Sequence, residues 1–171
     1  MGTVKTDSFN TTYSYEAYPV GSLRQESADE VVAAEHTDGT ALGLEGDRTW
    51  MFVKTGEAIG IYDCVVHNAI ATPKVVKKCA ADGVKDYTVV GIAQNAIASG
   101  YYGWVVVKGE CVVDVAAGIT AGQYLDTDGG TTAGDLNDST TAETLLATAK
   151  TATDSPVTGT VACLLWGNKG W

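Results

Sequence analysis

The chain has 171 residues and a mass of 17.8 kDa, with 11 Lys and Arg against 21 Asp and Glu and a formal net charge of -10. That length fits one domain, and 45% apolar against 19% charged residues excludes global disorder. An acidic balance with no basic stripe excludes a general nucleic-acid binder, and without a run of 18 apolar residues no membrane-spanning helix is expected.

Residues 1–20 carry Phe9, Tyr13, Tyr15 and Tyr18 among Thr and Ser, with no amphipathic period before Pro19. They read as an extended N-terminal arm ahead of a β domain over residues 21–171. The first ten residues lack a secretory signal pattern, so synthesis in a cytoplasm is expected. Two readings of the arm stay open: its rings fold back over the domain's own core, or they anchor a neighbouring subunit, a setting in which Tyr is enriched.

From Glu30 onward, apolar runs of four to eight residues alternate with turn signals such as Thr37-Asp38-Gly39, Thr55-Gly56-Glu57, Ala81-Asp82-Gly83 and Thr127-Asp128-Gly129-Gly130. Short strands punctuated in this way predict an all-β sandwich or barrel of antiparallel strands. Trp50–Val53, Ile59–Val66, Lys74–Cys79 and Tyr87–Ala93 read as strands, and Gly60 and Gly91 within two of them predict bulges or close backbone approach. Tyr102–Lys108 is apolar on both faces, and Glu110–Val115 alternates with Cys111, Val113 and Val115 on one face and Glu110, Val112 and Asp114 on a wet one, so Lys108-Gly109 between them predicts a tight hairpin. Ser27–Glu35 and Thr141–Lys150 have helix-compatible composition. The second is read as a strand that closes a hairpin with Val161–Leu165.

Charge divides the chain further. Residues 1–50 carry 3 basic and 9 acidic side chains, residues 51–108 carry 6 and 4, and residues 109–171 carry 2 and 8. The near-neutral middle third also holds the densest Val and Ile, which marks it as core. Lys74, Lys77 and Lys78 form its one basic cluster, a candidate contact for an acidic neighbour.

Reactive chemistry is sparse. Cys64, Cys79, Cys111 and Cys163 contain no Cys-x-x-Cys pair and read as buried free thiols. Cys64 and His67 stand three apart on an expected strand, which turns them to opposite faces and argues against a nucleophile and its base. His36 reads as a solvated turn residue. Asp126, Asp128, Asp135 and Asp138 lack the spacing of an EF-hand, and no phosphate-binding or nucleophile-elbow motif is present. The expectation is a chain without catalytic residues, cofactor or metal.

One segment carries a family pattern. Val89–Gly109, with Gly91, Ala93 and Gln94 followed by Tyr102, Gly103, Trp104 and Val105, resembles the small capsid decoration (cement) proteins of tailed bacteriophages. Tyr18-Pro19-Val20-Gly21, Trp50–Gly60, Ala117–Leu125 and Asp128-Gly129-Gly130 are similar to further parts of that pattern. The resemblance spans most of residues 18–167 and is one of scaffold. It implies a homo-oligomeric virion protein, with a trimer favoured, that binds the phage major capsid protein on the outer surface of an icosahedral head and stabilises the shell. Neither nucleic acid nor membrane is an expected partner. Within it, Trp50, Gly91, Gln94, Gly103, Trp104 and Val106 are the expected structural core. Phe9, Tyr13, Tyr15, Tyr18, Lys74, Lys77, Lys78, Trp166 and Trp171 are the candidate interface residues. A competing reading is a carbohydrate- or receptor-binding β-module, such as a head fibre or adhesin, which would expose a row of Tyr and Trp.

Overall fold

The computed structural model describes residues 8–27, 46–69, 75–81, 88–116, 118–127, 132–138, 147–150 and 159–166. Among them, ten strands appear in chain order: β1 (Leu23–Glu26), β2 (Arg48–Thr55), β3 (Cys64–His67), β4 (Val75–Lys78), β5 (Val89–Ala93), β6 (Tyr102–Val115), β7 (Tyr124–Asp126), β8 (Asn137–Asp138), β9 (Ala147–Ala149) and β10 (Gly159–Leu165). The fold is all-β, as composition and punctuation predict.

Strand pairing closes a ring. β2 pairs with β4, β4 with β3, β3 with β5, β5 with β6, and β6 returns to β2. Every pair is antiparallel except β2–β4, which is parallel and departs from the antiparallel expectation. β1 adds to the outside of β2. The far half of β6 pairs with β10, and β9, β7 and β8 follow in a second sheet.

Alternation along the ring strands sorts side chains into two cores, because successive residues of a strand face opposite sides. Met51, Val53, Val65, Val76, Val90, Ala93 and Val105 pack together as one cluster. Trp50, Phe52, Cys64, Val66, Ile92, Trp104 and Val106 belong to the other, which continues into Cys111, Val113, Val115, Leu125 and Val161 of the second sheet. The second cluster is therefore the seam between the two sheets.

Three strand expectations are corrected. Lys108-Gly109 is no hairpin: β6 runs unbroken for 14 residues and changes partners there, from Lys108 opposite Thr49 on β2 to Gly109 opposite Leu165 on β10. Gly109 has φ +101, and a Cβ on it would lie 2.5 Å from the Asp47 carbonyl oxygen. Glycine here bends a long strand between sheets, and local sequence signals this in the same way as a turn. Secondly, the Ile59–Val66 run is no continuous strand: Ile59 makes an isolated antiparallel bridge to Ile97 and the strand proper starts at Cys64, because Tyr62 takes φ 70 and turns the chain. The Gly60 N–H donates to the Asp63 carboxylate within that turn. Thirdly, Val112, expected on a wet face, is buried against Tyr62 and Ala162.

Gly91 meets its expectation. Val65 pairs with Gly91 while Val66 pairs with Val89, so β5 carries one extra residue. That bulge exchanges the two faces of the strand: Val89 and Ile92 lie in one core, Val90 and Ala93 in the other. Within Thr141–Lys150, Ala147–Ala149 is strand and pairs with β10 as the closing hairpin requires; residues 141–146, and residues 28–35 of the other helix-compatible stretch, lie outside the described residues.

Candidate functional site

Residues 8–18 pack against the strands. Phe9 stacks on Trp50 with ring centroids 4.7 Å apart and meets Trp104 edge-on at 5.7 Å. Tyr18 contacts Phe52 and Trp104 at 5.3 and 5.2 Å. Tyr13 bridges to Tyr102 through reciprocal backbone hydrogen bonds and is buried. The Arg24 guanidinium lies over the Phe9 and Trp104 rings. Tyr15 differs from the other three arm aromatics: it is 60% exposed. Beneath them, the buried Glu26 carboxylate accepts from Arg48 Nε and Trp50 Nε1, each at 2.8 Å.

The lysine cluster separates. Lys77 and Lys78 are neighbours on β4 and so face opposite sides; Lys78 Nζ pairs with Asp63 at 2.9 Å. Lys74 and Trp171 lie outside the described residues, as do His36 and Asp128. Cys64 is buried on the same strand as the half-buried His67, and the three-residue separation turns them apart. Among the described residues no group of three or more His, Cys, Asp or Glu is arranged to hold a metal ion.

The core residues expected from the resemblance are buried, but in different parts of the fold. Trp50, Trp104, Val106, Gly91, Gly103 and Gln94 are all buried. Ile97 covers Gly103 so closely that a Cβ there would fall 2.7 Å from its Cδ1. Gln94 has a role that spacing alone does not reveal. Its Nε2 donates to the Val112 carbonyl at 2.7 Å and its Oε1 accepts from the Val112 N–H at 3.1 Å. Where β5 ends, this side-chain amide takes the place of a neighbouring strand for β6. Gln94→Ala is expected to lose about 2–4 kcal/mol by orphaning two buried backbone groups. Gln94→Glu should lose a similar amount at neutral pH, where a carboxylate faces the carbonyl, and recover in acid, where the protonated group donates again. Urea unfolding of both variants against pH measures this; equal losses at all pH values would contradict the pairing.

An acidic cluster unnoticed in the sequence sits at the junction of the sheets. Asp114 is pushed up to about 6, first by burial and then by the Asp135 and Asp63 carboxylates, with Lys78 acting in the opposite direction. Asp135 is raised for the same leading reasons, against the Thr132 hydrogen bond and Lys78. An unfolded Asp titrates near ~3.9, so between about pH 4 and 6 the native state holds more protons and stability falls as pH rises through that window. Asp114→Asn should therefore gain about 1 kcal/mol at neutral pH, allowing for solvent screening of a half-buried group, and flatten the pH dependence. Denaturant midpoints from acid to neutral pH check this, and an unchanged slope would refute it.

The second sheet shows its outer face. Tyr124, Thr148, Leu164 and Glu110 are opposite one another across β7, β9, β10 and β6, forming one row. Lys150 reaches across to Glu110 at 2.7 Å. Trp166, just beyond β10, donates from Nε1 to Thr148 Oγ1 at 3.1 Å. Tyr124 and Trp166 thus flank Thr148 while remaining 44% and 53% exposed. Sequence reasoning found Trp166 and missed Tyr124, whose three-residue strand is too short to show alternation.

No protein-family model matches the chain, and no curated protein sequence matches it. Among solved structures the chain is similar to the head fiber gp8.5 N base in bacteriophage phi29. The TM-score is 0.48 at 14% sequence identity, covering 68% of this chain and 92% of that one.

Proposed function

We propose that the chain is a structural protein of a tailed-phage virion, a decoration protein that self-associates, with a trimer favoured, and binds the major capsid protein on the outer surface of the head. The observation that carries this reading is that the segment resembling cement proteins, Val89–Gly109, closes the ring and turns β6 toward the second sheet. Its Gly, Gln and Trp residues are committed to scaffold. Tyr15 and Trp166 are then the contact residues, with Tyr124 added from the structure, since their rings remain open to a partner.

The second reading, a receptor- or carbohydrate-binding module of a head fibre, is favoured by one arrangement: Tyr124 and Trp166 exposed on either side of Thr148. One paired experiment separates the two. The purified chain is sedimented with phage heads assembled without it and, in parallel, applied to a glycan array. Co-sedimentation lost in Trp166→Ala, with no glycan bound, supports decoration. Glycan binding lost in Trp166→Ala or Tyr124→Ala, without co-sedimentation, supports the second reading and overturns the first.

A further inference from the structure

All four cysteines are buried and none is in a disulfide, yet they are not equivalent. Cys111 on β6 and Cys163 on β10 stand directly opposite each other in the antiparallel register, with their sulfurs 3.7 Å apart. Val112 turns its N–H and C=O toward Gln94, so Cys111 turns its own toward β10, where residues opposite each other exchange both hydrogen bonds and have Cα atoms about 5.5 Å apart. Disulfides accept Cα separations of roughly 4.4–6.8 Å. The sulfurs, 3.7 Å apart, have to close to the bonding distance of about 2.05 Å. Cys64 and Cys79 are also adjacent, the Cys79 N–H donating to the Cys64 carbonyl at 3.0 Å, but the Cys79 thiol is engaged with the Asp135 carbonyl at 3.5 Å.

We propose that Cys111 and Cys163 form a modification site: a dithiol that a small-molecule disulfide, of the oxidised-glutathione class, converts to a cross-strand bond between β6 and β10. One protein thiol loses its proton to solvent, and its thiolate attacks the oxidant, forming a mixed disulfide and releasing one small thiol. The second protein thiolate then attacks the protein sulfur of that intermediate, forming the Cys111–Cys163 bond and releasing the second small thiol. Two protein thiols are oxidised and one small disulfide is reduced to two thiols. Burial, and then the hydrogen bond with Cys163, push the Cys111 thiol above the ordinary range. The closed fold therefore keeps the pair reduced, and reaction waits on local opening of β10, whose outer neighbour β9 has three residues.

The test incubates the native full-length chain with oxidised glutathione at about pH 8, then unfolds it in the presence of an alkylating agent and maps the peptides. The same incubation of the chain in guanidinium establishes that the oxidant is competent. The expected result is alkylation of Cys64 and Cys79 alone, with Cys111 and Cys163 recovered as one linked peptide that dithiothreitol separates. The oxidised protein should also unfold at least about tenfold more slowly, because the bond joins strands that must part. Cys163→Ala should show neither effect. Alkylation of all four cysteines, a Cys64–Cys79 link in preference, or only mixed disulfides with glutathione would each overturn the proposal.

Discussion

Gly91→Ala is expected to destabilise the protein by more than about 3 kcal/mol, lowering its melting temperature by roughly 6–12 °C. A Cβ at this position would lie 2.2 Å from the Val106 carbonyl oxygen and 3.0 Å from its carbonyl carbon. Both obstacles are backbone, so no side-chain rotation relieves them. The strand must move, and it moves at the bulge that groups Val89 with Ile92 in one core and Val90 with Ala93 in the other. Losing the bulge would reverse the facing of the rest of β5. Thermal and urea unfolding measure the loss; a variant within about 1 kcal/mol of the parent would contradict the close approach.

Removal of residues 1–18 is expected to cost on the order of 5 kcal/mol, because Phe9, Tyr13 and Tyr18 leave together and uncover Trp50, Phe52 and Trp104. The arm rings bury apolar surface whose loss leaves a vacancy in the aromatic seam. Tyr15→Ala, by contrast, should stay within about 0.5 kcal/mol of the parent, since that ring is mostly in solvent. The pair makes the arm's two roles separable. Reduced head binding in Tyr15→Ala, at unchanged stability, is the signature of a contact residue. Reduced binding in the truncation alone reports unfolding. If the truncated chain kept its full denaturant midpoint, the arm's packing would carry no stability and this account of the aromatic seam would fail.

Local sequence signals encode only part of this fold. The all-β class was legible because Val, Ile and Tyr runs separated by Gly and Asp are a repeated local pattern. The bulge was legible as a glycine inside a strand. Gly109 misled because positive φ serves a hairpin and a bend equally well, and only the identity of the distant partner, β10, separates them. Tyr62 misled in the opposite sense: a non-glycine residue turns the chain within an apolar run. Gln94 appeared as part of a family pattern, but its pairing with Val112 spans 18 residues and has no local signature. The same holds for Trp166 and Thr148, and for Asp114 with Asp63 and Asp135, where folding brings together charges that are far apart in the chain. The arm's composition suited either of its two fates, and the choice depended on flat ring faces waiting at Trp50 and Trp104.

The unbroken β6 strand also has a mechanical meaning. Two sheets that meet only through side chains slide or hinge when loaded, whereas here one backbone belongs to both, hydrogen-bonded to β2 and β5 along one half and to β10 along the other. A tug on the second sheet is carried along a covalent chain into the ring, where it meets hydrogen bonds on both edges of the strand. Yielding then requires several ladder bonds to break at once, so the molecule should resist stretching as one stiff unit and give way abruptly.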